Sequence, residues 1–311
     1  MTDEIVDRLL GHRLLVVHGD SGCGKSSLVR AGVLPRLEQE SARGGVRWRT
    51  CTTLPRAAPL WNLARALAAL DTPGGDGHGL ELRTIAFRRA LNFGREAPAA
   101  LAELLGCGPR SQVCILIDQF EELFEHARRH GAEEATLLAA CLVGLLDAPP
   151  AGLYAVLTMR SEFLGACSRY EGFAEAVNRT QYLLPRMEHD DLMRAIREPA
   201  VLYDGEVTRE LAERLIVDGG GGQDQLPLIQ HGLMLLHDER ARAAVAERVG
   251  DCHANRASSG RALGNSGLGS FIAGRIPRLH AEGIRRCWRQ SREHASRADL
   301  PARIHAVNRV I

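Results

Sequence analysis

The chain has 311 residues, 45% of them hydrophobic and 25% charged, and 39 basic side chains against 38 acidic ones leave a net charge of +1. That is the balance of an ordinary globular protein, long enough for one large domain and a smaller one. No run of about 18 apolar residues that would cross a membrane occurs, and the acidic start Met1–Asp7 is unlike the basic start of a secretory signal.

The run from Arg13 to His18 reads as a strand, the segment Gly19-Asp-Ser-Gly-Cys-Gly-Lys-Ser as a glycine loop, and Ser27 onward as a helix with apolar residues at helical spacing. Val46 to Thr52 predicts a second strand and Pro59 to Leu70 an amphipathic helix. Asp71 to Gly79, rich in glycine, reads as a surface loop. Leu82 to Leu105 is helical, with breaks expected near Phe93-Gly94 and at Pro98. Val113 to Ile117 is a continuous apolar run ending at Asp118, the pattern of a strand buried on both faces of a parallel sheet. Glu133 to Leu146 predicts a core helix, Leu153 to Met159 a fourth strand ending at Arg160, and Thr180 to Leu184 a fifth. This alternation predicts an α/β fold, a doubly wound parallel-sheet domain over residues 1–184. Residues 185–250 carry a helical period only, interrupted by Gly219 to Gly222, and read as a small α-helical lid.

Residues 251–311 lose all periodicity, and from Cys252 they hold about eleven arginines against three acids. They read as an atypical basic tail, either disordered or the product of a reading-frame change. Nucleic acid is disfavoured as its partner, because few aromatics interleave the arginines, Phe271 and Trp288 alone. The eight cysteines include no C-x-x-C pair, which suits reduced thiols in a cytoplasmic protein rather than disulfides or zinc. His18, His189, His231 and His237 lack a metal spacing. Trp48, Trp61 and Trp288 read as packing residues.

Chemistry concentrates at the glycine loop. Gly19-x-x-x-x-Gly24-Lys25-Ser26 is a phosphate-binding (Walker A) pattern, in which glycines let backbone N–H groups turn inward at the positive end of a helix. Gly19, Asp20, Ser21, Gly22, Cys23, Gly24, Lys25, Ser26 and Ser27 are the candidate nucleotide contacts. Lys25 would neutralise the β- and γ-phosphates, and Ser26 would offer its hydroxyl to Mg²⁺. Of the 39 basic residues Lys25 is the only lysine, so a composition that otherwise uses arginine keeps a compact ammonium at one place. A guanine-reading Asn-Lys-x-Asp segment is therefore excluded, which favours ATP or ADP over GTP.

The second anchor for the metal is Asp118 at the end of its apolar strand (Walker B), 93 residues after Lys25. Glu121 and Glu122 follow, either of which could polarise a water, with Glu122 slightly preferred. The alternative is that both are acids in the first turn of a solvated helix. Arg160, at the C-terminal end of a strand, can reach a γ-phosphate, or it pairs structurally with Glu162 or Asp118. Cys23 inside the loop could make binding oxidation-sensitive.

Four segments in order, Gly19–Pro35, Ile117–Phe124, Leu157–Leu164 and Leu226–Leu233, resemble the novel STAND NTPase 1 family of signal-transduction ATPases, over about residues 10–240. The resemblance implies that Gly19 to Ser26 is the phosphate loop, Asp118 the Mg²⁺-holding acid and Arg160 the first sensor arginine. Pro227 would be the lid proline that packs near the nucleotide base, besides being a helix N1 proline. Such proteins are slow-hydrolysing switches, closed with ADP and open with ATP, where they engage protein partners or self-associate. Members usually carry an aromatic-Gly-Arg segment before the first strand, and residues 1–10 hold none. The expectation is an ATP-dependent signalling switch. The alternatives are a truncated nucleotide-binding fragment without signalling function, or a motor-type ATPase acting on nucleic acid.

Overall fold

The computed structural model describes residues 1–71, 77–201, 206–220 and 225–234. The chain divides into two compact units, the first ending at Arg186 and the second beginning at Met187.

The first unit is built on five strands: β1 (Leu14–Gly19), β2 (Arg47–Thr53), β3 (Ser111–Ile117), β4 (Leu153–Arg160) and β5 (Gln181–Leu183). Their spatial order is β2-β3-β4-β1-β5 and every pairing is parallel. Parallel neighbours need crossovers, and helices supply them, so the sheet is covered on both faces as a doubly wound α/β fold requires.

The strand period of two sorts the apolar runs between these faces. Leu14 and Val16 of β1, Val113, Ile115 and Ile117 of β3, and Leu153, Ala155 and Leu157 of β4 join one core. Leu15 and Val17, Cys114 and Leu116, and Tyr154 and Val156 join the other.

The second of these cores is closed by α1 (Thr2–His12) and by the helix that follows the glycine loop. That helix starts as α2 (Lys25–Ser27), passes through a π-helical segment Leu28–Val33 and continues as α3 (Leu34–Gly44). The first core is closed by α4 (Pro59–Asp71), α5 (Gly77–Leu91), α6 (Ala97–Leu104), α7 (Glu121–His130), α8 (Glu133–Asp147) and α9 (Phe173–Thr180).

Several expectations are corrected. The start of the chain, of which Met1–Asp7 is read for its acidity, forms α1, which buries Ile5, Val6 and Leu9 on one stripe. Its chain reverses at Arg13, whose φ of 69° is left-handed. Gly77 to Gly79 belong to α5 rather than to a loop; residues 72–76 lie outside the described residues. Burial of Thr84, Phe87, Ala90 and Leu91 along one face outweighs the poor helix propensity of two glycines. The helical stretch from Leu82 breaks once, around the short 3₁₀ turn Gly94–Glu96. Pro98 opens α6 instead of breaking a helix, because the first turn has no need of its N–H. The 3₁₀ segment Ser161–Arg169 and α9 were not anticipated. Trp48 is buried against Tyr154, with ring centroids 5.0 Å apart, but Trp61 is 39% exposed and fills no core position. The cysteines among the described residues are all free thiols. Burial pushes Cys51 and Cys141 up to about 12, which disfavours the reactive thiolate of each.

The second unit contains α10 (His189–Val201), α11 (Arg209–Asp218) and helical residues 225–234. Thr208 caps α11 by accepting from Leu211 N–H at 3.3 Å. Leu192 and Ile196, Ala212 and Leu215, and Leu226 and Ile229 form the unit's apolar cluster. The basic tail, 251–311, lies outside the described residues, as does His237. Among the described residues no helix is long and apolar enough to cross a membrane.

Candidate nucleotide and metal site

The C-terminal ends of β1, β4 and β3 stand side by side, so the loops that leave them share one sheet edge. The loop after β1 runs over residues 19–24. Gly24 is left-handed (φ 98°) immediately before α2, a conformation that only glycine enters without cost. A Cβ on Gly19 would lie 2.9 Å from Cys23 Sγ and 3.1 Å from the Leu184 carbonyl, closer than side chains tolerate. The glycines at 19 and 24 are therefore favoured by the shape of the loop backbone itself.

Lys25 is buried, with 9% exposure, and a buried ammonium needs oxygen around it. Its Nζ donates to the carbonyls of Gly19 at 3.0 Å and Asp20 at 2.6 Å, and lies 3.7 Å from Cys23 Sγ. The charge is thus held inside the loop. Asp20 is tied outward to Arg186, whose Nε donates to Oδ2 at 2.7 Å.

Asp118 follows β3 and is 1% exposed. Ser26 Oγ donates to its Oδ1 at 2.7 Å, and Thr158 Oγ donates to the same oxygen. Arg30 Nη2 lies 2.7 Å from Oδ2. The turn after Asp118 is pinned to β4. Gln119, at φ 55°, donates its N–H to Thr158 Oγ at 3.0 Å, and Phe120 N–H reaches Thr158 O at 2.8 Å. Phe120 is fully buried beside Phe124 and Phe173, with centroids at 5.6 and 5.5 Å. Burial of such a ring contributes about 1.5–3 kcal/mol, which anchors the acidic turn from below.

The pair of hard oxygens, Ser26 Oγ and Asp118 Oδ1, suits Mg²⁺. That ion takes one or two protein oxygens and completes its octahedron with water and phosphate. Such an ion would take its remaining ligands from water and a nucleotide; among the described residues no cluster of three His, Cys, Asp or Glu is placed to hold a metal. When bound, the ion would neutralise charge on the β- and γ-phosphates.

Arg160 is the register partner of Gly19 across the β1–β4 pair. Its guanidinium is 46% exposed and lies 3.5 Å from both Glu121 Oε1 and Glu162 Oε1. Asp118, the other partner weighed for Arg160, is paired with Arg30 instead. Glu121 Oε2 is buried with no partner, and burial raises its carboxyl above the usual range against the opposing pull of Arg160 and Lys25. Glu122 is also raised by burial, and its Oε2 accepts from Arg56 N–H at 3.0 Å. His18 Nδ1 is 2.9 Å from Ser161 Oγ, and burial lowers its pKa, which favours the neutral ring. Pro227 lies in the second unit, half-buried within the helical residues 225–234.

Arg30 and Thr158 were not singled out from sequence, although both left a signal. Ser26 and Arg30 are four apart at the start of a helix, and Thr158 is a hydroxyl inside an apolar strand. A buried hydroxyl needs a partner, and Asp118 is that partner.

A parallel sheet that carries a glycine loop, a buried lysine and a facing strand-end aspartate defines a P-loop NTPase core. The sequence model of the novel STAND NTPase 1 family matches residues 1–250, and the chain belongs to that family. No curated protein matches the chain. Among solved structures it is similar to Aeropyrum pernix ORC1 in complex with DNA, at 17% identity and a TM-score of 0.47, over 76% of this chain and 59% of that one. It is also similar to Aeropyrum pernix ORC2 in its ADP form, at 14% identity and a TM-score of 0.47, over 78% of this chain and 62% of that one. A further ORC2 structure, with ADPNP and ADP, gives 14% identity and a TM-score of 0.46 over 100% of this chain and 91% of that one. This chain thus spans less than two thirds of the first two.

Proposed function

We propose that the protein is an ATP-binding signal-transduction switch in which slow, Mg²⁺-dependent hydrolysis returns an ATP state to an ADP state. Residues 1–184 would bind the nucleotide, and residues 185–250 would act as a lid whose Pro227 packs near the base. Protein partners, or a second copy of the chain, would engage the ATP state.

The observation that carries this reading is the loose Arg160–Glu121 pair beside Gly19, 3.5 Å apart and reachable from solvent. A γ-phosphate arriving over the loop offers Arg160 a stronger, charge-assisted partner than Glu121. The arginine then leaves Glu121, whose second oxygen already has no partner. ADP lacks that phosphate and leaves the pair intact, so the two nucleotides stabilise different arrangements of the same residues.

The test is turnover together with discrimination. The purified protein is expected to carry ADP and to hydrolyse ATP far below the roughly 10 per second typical of enzymes. DNA and RNA are expected to leave the rate unchanged. Arg160→Ala should bring ATP and ADP affinities closer together, measured by calorimetry. Brisk hydrolysis stimulated by DNA or RNA would point to a motor instead. An Arg160→Ala protein that loses affinity equally for both nucleotides would show the arginine to be structural.

A further inference from the structure

We infer that Arg30 is a positioning residue for the metal site, holding the Asp118 carboxylate so that one oxygen faces Ser26. The inference rests on the reading of the loop and Asp118 as a nucleotide and Mg²⁺ site.

Asp118 is turned by two opposed sets of partners. Oδ1 takes the hydroxyls of Ser26, at 2.7 Å, and Thr158, while Oδ2 takes the guanidinium of Arg30 at 2.7 Å. A carboxylate rotates about its Cβ–Cγ bond unless both oxygens are engaged. Ser26 is the partner that must leave when its hydroxyl turns to the metal. Arg30 and Thr158 then remain, one on each oxygen, and fix which oxygen is presented. Outer partners of this kind orient metal ligands and commonly change metal affinity by about 10–100-fold when removed.

The local structure supports a role beyond cohesion. Arg30 lies within the π-helical segment Leu28–Val33 of the helix leaving the phosphate loop. Such segments are rare in helices and concentrate at functional sites. The guanidinium also leaves its Nε buried without a partner, so the pairing carries an uncompensated cost.

Charge and positioning predict opposite signs, which makes the inference decidable. Removing a cation 2.7 Å from Asp118 would, by Coulomb attraction alone, strengthen Mg²⁺ binding. Loss of positioning would weaken it. The variants are Arg30→Met, which keeps an apolar stem of similar length, and Arg30→Lys, which keeps the charge. Mn²⁺ is titrated into the full-length protein with ADP, and the loss of the free-ion EPR signal beyond that caused by the same ADP without protein reports binding; ADP affinity in EDTA is measured alongside.

We expect Arg30→Met to lower Mn²⁺ affinity at least tenfold, with ADP affinity in EDTA within twofold of wild type and partial recovery in Arg30→Lys. Unchanged or raised Mn²⁺ affinity in Arg30→Met would overturn the inference. So would an equal loss of ADP affinity in EDTA, which marks general damage to the loop. Failure of the wild-type protein to bind ADP at all would overturn the nucleotide reading itself, and the inference with it.

Discussion

Lys25→Ala is expected to lower ATP affinity at least tenfold, a loss of about 1.4 kcal/mol or more. The ammonium is 9% exposed and held by two carbonyls of its own loop, so it is already desolvated and placed before any phosphate arrives. That preorganisation concentrates its effect on the ligand. A charge brought in from water would first have to shed its hydration, whereas this one has only to exchange carbonyl partners for phosphate oxygens. Removing it also frees the Gly19 and Asp20 carbonyls, whose lone pairs then face the anion. Both effects have the same sign. Calorimetry on a variant shown by circular dichroism to be folded checks the value, and unchanged ATP affinity there would refute the site. Lys25→Arg should not restore binding, because the planar fork is too large for the space among Gly19, Asp20 and Cys23.

Asp118→Asn should reduce the Mg²⁺ dependence of ATP binding by tenfold or more, while affinity without metal changes little. The carboxylate meets three donors, Ser26, Thr158 and Arg30. An amide can present one oxygen, and its NH₂ group must then face either the Arg30 guanidinium, which accepts nothing, or the hydroxyls of Ser26 and Thr158, which would have to turn from donating to accepting. The substitution therefore removes the charge that attracts the ion and misdirects the oxygen that would hold it. Arg30 also loses its anion, although its partial exposure lets water compensate. Titrating ATP with and without Mg²⁺ separates the metal effect from general weakening. The neighbouring acids should behave differently: Glu121→Gln and Glu122→Gln should leave binding intact, and the one that polarises water should slow hydrolysis. Sequence slightly favours Glu122. In the structure Glu122 is engaged by Arg56 N–H, and Glu121 has the oxygen without a partner. Single-turnover rates of the two variants decide between them.

Local pattern by itself determined the glycine loop, the lone lysine and the apolar runs that become β1, β3 and β4, because backbone freedom and alternating burial are written residue by residue. It also marked Asp118 and Arg160, since polar residues that end apolar runs stand at the sheet edge. Local pattern could have revealed α1 too, where Ile5, Val6 and Leu9 have helical spacing. Only the tertiary structure decided which strand ends are neighbours. Placing β4 between β1 and β3 sets Arg160 beside Gly19 and puts Thr158 against Asp118. The same assembly gave Arg30, not Arg160, to Asp118, and left Arg160 to Glu121 and Glu162. Partner choice among charges depends on separations of a few ångströms between residues far apart in the chain, and those distances exist only after both faces of the sheet have packed.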